Sequence, residues 1–229
     1  MFEQGLQFLS EVAYVLVLVV TCADFAIHRD ARRRDAVLMF ASLAAFIVIR
    51  WAINVSGLRA PSLLDLSVLI IMAKPFLTLR LVRHFRPVPV SVLVFGFSGM
   101  VASWLILSVV PRPLSPTLSL VIVAYFVLVE GYAGVAFIRG AMANVGELRR
   151  RMAYVASGSV LLGVVLSIVG INVLVPEAAI YTKPISSLFT GLGALSYYLG
   201  FAPPNWIGAF WRQLRLGGKR WYSWLPLPF

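Results

Sequence analysis

Seven runs of about 20 predominantly apolar residues restrict this chain more than any other feature; they cover 8–28, 36–56, 63–83, 90–110, 117–138, 152–174 and 183–201. A bilayer core about 30 Å thick is crossed by roughly 20 helical residues, and only a backbone that satisfies its own hydrogen bonds tolerates lipid. Breakers separate the runs: "HRDARRRD", "GLRAPS", "FRPVP", "PRPLSP", "GAMANVGELRRR" and "PEAAIYTK". Composition agrees, with 60% hydrophobic residues, 13% charged and a mean hydropathy of +0.90, against a charged fraction of roughly 25% in soluble domains. The expected fold is all-α: a polytopic bundle of seven transmembrane helices in 1–202, followed by a tail, 203–229. The opening "MFEQGLQFLSE" has no cation and no small-residue cleavage site follows it, so the first run reads as a span and not a cleaved leader.

Orientation follows from the cations, which accumulate on the cytoplasmic side of membrane proteins. Arg29, Arg32, Arg33, Arg34, Arg80, Arg83, Arg86, Arg139, Arg149, Arg150, Arg151, Arg212, Arg215, Lys219 and Arg220 fall on one side, and Arg59, Arg112 and Lys183 on the other. The N-terminus is therefore expected outside and the C-terminus in the cytoplasm. This asymmetry accounts for the net charge of +11 without a nucleic-acid partner. The single cysteine, Cys22, permits no internal disulfide.

Ionisable groups inside a span are costly and usually face the bundle interior. Lys74 in span three and Glu130 in span five both lie roughly 17 to 20 Å from the outer surface at 1.5 Å per residue, which makes them available as a pair near the midplane. Pro75 follows Lys74, removes a backbone donor and frees the Ile71 carbonyl, so a kink beside the ammonium is expected. Lys74, Pro75 and Glu130 then form either a switchable polar centre or a static pair that specifies helix order. Depth suggests two further inter-helix groups, Asp24 with Arg80 near the cytoplasmic ends and Arg50 with Asp65 and Glu11 in the outer third. Small residues at four-residue spacing, Ser159, Gly163 and Ser167, together with Gly131 and Gly134 and with Gly191, Gly193 and Ala194, are candidate packing faces.

No cofactor is required. His28 and His84 at the inner ends of spans one and three are candidates for a haem or pigment site, although interfacial histidines beside arginines are usually solvated. Lys183 lies too near the outer edge of span seven for a buried chromophore. There are no paired catalytic carboxylates, phosphate-binding glycine loop or "HExxH" motif, so enzymatic activity is not expected.

After the seventh run, Trp206, Ile207, Phe210, Trp211 and Leu214 recur at helical spacing, with Arg212 and Arg215 off that stripe and Pro203 and Pro204 at the turn. This pattern predicts a short interfacial helix that serves as a membrane anchor or a docking surface for a partner. The junction "YYLGFAPPNWIGAFWR", 197–212, resembles the "GFAPPxWLRxxW" transition of the seven-helix amino-terminal regions of bacterial sensor histidine kinases and related signalling proteins. The resemblance covers the seven-span layout and the junction. It implies an input module in the bacterial cytoplasmic membrane whose post-span helix carries a conformational signal. Ile207, Gly208 and Ala209 depart from the basic residues of that pattern, and no output domain follows within the sequence. The expected function is a membrane sensory input module acting through the lipid bilayer on another membrane or cytoplasmic chain. The alternatives are an accessory subunit of a larger membrane complex and a small transporter.

Overall fold

A computed structural model describes residues 2–56, 61–111 and 113–201. Eight α-helices and one 3-10 turn account for almost all of them: α1 (Phe2–His28), α2 (Ala31–Ser56), α3 (Pro61–Met72), α4 (Lys74–Arg83), α5 (Val90–Val109), α6 (Pro116–Ala143), α7 (Gly146–Leu174), the turn Pro176–Ala178 and α8 (Ala179–Phe201). Among the described residues there is no strand. The expected spans one, two, four, five, six and seven are the single helices α1, α2, α5, α6, α7 and α8. The third is two helices, α3 and α4, joined at Ala73.

Six of these segments are long and apolar enough to cross a membrane: Gly5–His28, Ala31–Ser56, Ser62–Arg83, Val90–Val109, Pro116–Ala143 and Gly146–Leu174. The seventh expected span, α8, has 23 residues but is not among them. Thr182, Lys183, Ser186, Ser187 and Thr190 dilute its first half.

Burial is distributed as in a lipid-solvated bundle. Val55, Val109, Ile27, Met142 and Val90 are large apolar residues at least 74% exposed, whereas Lys74, Glu130, Thr78 and Ser159 are at most 3% exposed. In water so much exposed apolar surface would drive association, whereas lipid solvates it. The chain is a multi-pass helical membrane protein.

The helices close into a ring. α1 packs on α2, α2 on α3 and α4, α4 on α6, α6 on α7, α7 on α8, and α8 returns to α1. α5 lies outside α4 and α6 and touches both. Two glycines bring it close. A Cβ on Gly96 would fall 2.4 Å from Leu79 Cδ1, and one on Gly99 would fall 2.3 Å from the Tyr125 ring. The Tyr125 hydroxyl then donates to the Gly96 carbonyl at 2.7 Å. The main core, formed by Tyr14, Phe40, Leu81, Phe137, Val155 and Tyr197 among others, draws on every ring helix except α3.

Short connections align the helix ends. Only Arg29 and Asp30 separate α1 from α2, and Arg29 takes the left-handed backbone conformation, φ 46°, that a tight reversal after a helix demands. The expected connection "GAMANVGELRRR" is mostly helix instead. α6 runs to Ala143 and α7 starts at Gly146, where φ is 69° and glycine avoids the steric cost of a side chain.

Asp30 starts α2. Its Oδ1 accepts the Arg33 amide at 2.7 Å, the bond by which an N-cap satisfies an orphan donor of the first turn. That amide, with the Arg33 and Arg32 charges, holds the Asp30 carboxyl below the usual carboxylate range. A folded value below the unfolded one means that the stabilisation is fully present above the unfolded value, about 3.9, and is lost as pH falls through the folded value. Asp30→Ala should cost about 1 kcal/mol at pH 7. Detergent-solubilised unfolding at pH 7 and pH 3 checks this, the gap between wild type and variant narrowing at the lower pH.

Candidate functional site: a buried ion pair at a broken helix

Pro75 sits in the first turn of α4, where its missing amide hydrogen costs least. Just before it the ladder tightens. The Ala73 amide donates to Ile70 at 3.2 Å, three residues back. An uninterrupted helix would use the Leu69 carbonyl for that bond. Here the Leu69 carbonyl instead accepts the indole Nε1 of Trp104, from α5, at 2.8 Å. In lipid a backbone group released by a break needs such a partner, and Trp104 supplies it.

The break brings Lys74 to the start of α4, facing α6. Its Nζ donates to Glu130 Oε1; the two side chains are 3% and 0% exposed. Thr78, one turn further along α4, donates to the Lys74 carbonyl at 3.0 Å and lies 3.3 Å from the same Glu130 oxygen. One hydroxyl proton cannot fully serve both. Glu130 Oε2 and the Tyr14 hydroxyl are buried with no hydrogen-bond partner among the described residues. The centre is thus charged, enclosed and incompletely satisfied. Any change that neutralises one partner leaves the other as a buried charge.

Two links connect the core to α8. Ser159 Oγ and Tyr197 Oη share a hydrogen bond at 3.0 Å, and a Cβ on Gly158 would lie 3.1 Å from the Tyr197 ring. At the end of α8, Arg151 Nε donates to the Gly200 carbonyl at 3.0 Å and a terminal nitrogen to Phe201 at 2.9 Å. A cation thereby caps the negative end of the helix dipole just before the junction.

The remaining expected groups are arranged differently. Asp24 does not meet Arg80. It takes Arg33 Nε at 2.5 Å, because the two-residue reversal folds the start of α2 back over the end of α1. Arg80 donates to Asp35 at 2.8 Å, and His84 Nε2 lies 2.9 Å from the other Asp35 oxygen. Asp35, 3% exposed, is thus the carboxylate that ties α2 to α4, although in the sequence it reads as part of an arginine-rich loop. Nor do Arg50 and Glu11 pair. Glu11 accepts Trp51 Nε1 at 2.5 Å, and Arg50 lies over the Phe46 ring at 5.4 Å. Asp65 lies on α3, partly buried beside Leu64 and Leu107.

Small residues divide by position. Ser159 is fully buried, and Gly134 faces Val160 at 3.2 Å. Gly191 approaches Ser10, Gly193 approaches the Tyr14 hydroxyl, and Ala194 is 0% exposed. Among the described residues Gly131 and Gly163 meet nothing within 4 Å, so neither is a packing contact there. Ser167 is exposed and, among the described residues, bonds to the Gly163 carbonyl of its own helix.

His28 engages Asp24 and His84 engages Asp35. Among the described residues no cluster of three or more histidine, cysteine, aspartate or glutamate residues is placed to hold a metal. Pro203, Pro204, Trp206, Phe210, Trp211, Arg212 and Arg215, with the interfacial helix expected there, lie outside the described residues. No protein-family model, curated protein or solved structure matches the chain.

Proposed function

We propose that this chain is a seven-span sensory input module of the bacterial cytoplasmic membrane, with α8 as its seventh span, its N-terminus outside and its C-terminus in the cytoplasm. A stimulus that alters the Lys74–Glu130 centre shifts α4 against α6. The shift reaches α8 through the packed core, and the segment 203–229 passes it to a separate cytoplasmic or membrane chain. A stimulus need only favour one of two helix arrangements to act in this way.

The observation that carries this reading is the charged pair placed at a helix break. A continuous helix resists rearrangement, whereas Ala73 and Pro75 already interrupt the ladder beside the only buried lysine among the described residues. The cation count and the "GFAPP" junction support the orientation and the direction of output.

Glu130→Gln mimics neutralisation without changing shape. Spin labels near the end of α8 and the start of α2, in nanodiscs, should report a changed distance distribution in this variant. Identical distributions would remove the pair from signalling. If unrelated membrane subunits instead copurify in fixed ratio and survive Lys74→Met, the accessory-subunit reading takes its place. Ending the chain after Pro204 should leave the bundle folded and abolish recovery of the partner.

A further inference from the structure

A cavity of about 90 Å³ opens where the ends of α1, α2, α6, α7 and α8 converge. Arg32, Arg33 and Arg151 line it against one carboxylate, Asp24. Its floor is apolar, built from Phe85, Phe137 and Met152 among others. Charge on such a floor acts through a lower effective dielectric than at an open surface.

The arginines are not equally compensated. Arg33 is charge-compensated by two carboxylates, Asp24 at 2.5 Å and Asp30 at 2.6 Å. Arg151 spends Nε and one terminal nitrogen on the α8 carbonyls, with Glu147 one turn earlier on its own helix. Its other donors are uncommitted among the described residues. Arg32 has no hydrogen bond there. It lies 3.8 Å from Asp30, beyond hydrogen-bonding range, and 5.9 Å from the Phe85 ring centre. Two guanidinium groups with uncommitted donors therefore line one cavity, and arginine binds tetrahedral oxyanions through paired N–H donors.

We propose that this cavity is a binding site for an anionic phosphate group, held by Arg32 and Arg151 with Arg33 as a fixed neighbouring charge. The end of a bundle is where lipid headgroups lie, and basic pockets between transmembrane helices suit anionic ones. Free phosphate offers the same chemistry. Arg151 also holds the Gly200 and Phe201 carbonyls, so an anion on its remaining donors sits beside the end of α8. The binding claim is independent of the signalling role proposed above.

Native mass spectrometry of the full chain in neutral detergent tests the site with phosphatidylglycerol, zwitterionic phosphatidylcholine and inorganic phosphate as probes. Phosphatidylglycerol should bind about tenfold more tightly than phosphatidylcholine. Arg32→Gln, on the rim of the cavity, should erase most of that preference without lowering thermal stability, and Arg32→Lys should restore part of it. Arg83→Gln, an arginine of the same bundle end that does not line the cavity, should leave the preference intact. Displacement by inorganic phosphate, or Arg32-dependent binding of phosphate alone, would assign the site to the free anion. Equal losses in Arg32→Gln and Arg83→Gln would reduce the effect to diffuse interfacial charge and overturn the proposal. So would the absence of both lipid preference and phosphate binding.

Discussion

Lys74→Met should destabilise the bundle by about 3–5 kcal/mol, the cost typical of breaking a buried ion pair from one side. Glu130 is 0% exposed and its second oxygen has no hydrogen-bond partner among the described residues. Without the ammonium, only Thr78, whose proton is shared with the Lys74 carbonyl, faces its first oxygen. Glu130→Leu should cost a similar amount by stranding Lys74. The double variant Lys74→Met/Glu130→Leu should recover most of the loss, because well-packed apolar replacements for a buried pair are often neutral or stabilising. Equilibrium unfolding in mild detergent measures all three. Two near-neutral single variants would mean that the charges reach water or other partners, and the pair would lose its standing as the core's polar centre.

Gly200→Ala is the second large effect. A Cβ there would stand 2.5 Å from Val155 Cγ2 and 3.1 Å from both the Arg151 carbonyl and the Val155 amide. A side chain can rotate away, but the backbone of α7 cannot. The variant should therefore push α8 off α7, lengthen the Arg151 bonds to Gly200 and Phe201, and cost about 1–3 kcal/mol, the usual range for overpacking. Gly131→Ala is the matching control. Among the described residues nothing lies within 4 Å of the added methyl, so this change should be neutral or stabilise α6 by up to about 1 kcal/mol. Thermal unfolding of the two variants side by side separates packing glycines from incidental ones; equal behaviour would contradict the α7–α8 contact.

These cases mark what the linear chain reveals. Depth along a helix is a one-dimensional quantity and can be counted from the sequence. Lys74 and Glu130 could therefore be matched across two spans before any helix was placed. Which way a residue faces around the helix is a second coordinate, and depth says nothing about it. Asp24 and Arg80 stand at comparable depth, yet the two-residue reversal after α1 gives Asp24 to Arg33, and Asp35 takes Arg80 in its place. Glu11 likewise turned to Trp51, the immediate neighbour of the expected Arg50. Gly96, Gly99, Gly158 and Gly200 are packing contacts outside the expected faces, although Gly96 and Gly99 carry a visible signal, two glycines three apart on one face of a span. Pro75 announced the break. That Trp104 would satisfy the released Leu69 carbonyl depended on how α5 sits against α3, which periodicity does not encode.

Side-selective labelling tests the membrane bundle with its arginine-rich end in the cytoplasm most directly. In a Cys22→Ser background, single cysteines replace Asp30, Arg86 and Asn144 at one end of the bundle, and Pro111 and Glu177 at the other. A membrane-impermeant maleimide should reach Pro111→Cys and Glu177→Cys in intact cells, and the first three only after the membrane is opened. Labelling of both sets from the same side would contradict the alternation of helices, and with it the assignment of the cavity, the α8 end and the signalling direction to the cytoplasmic face.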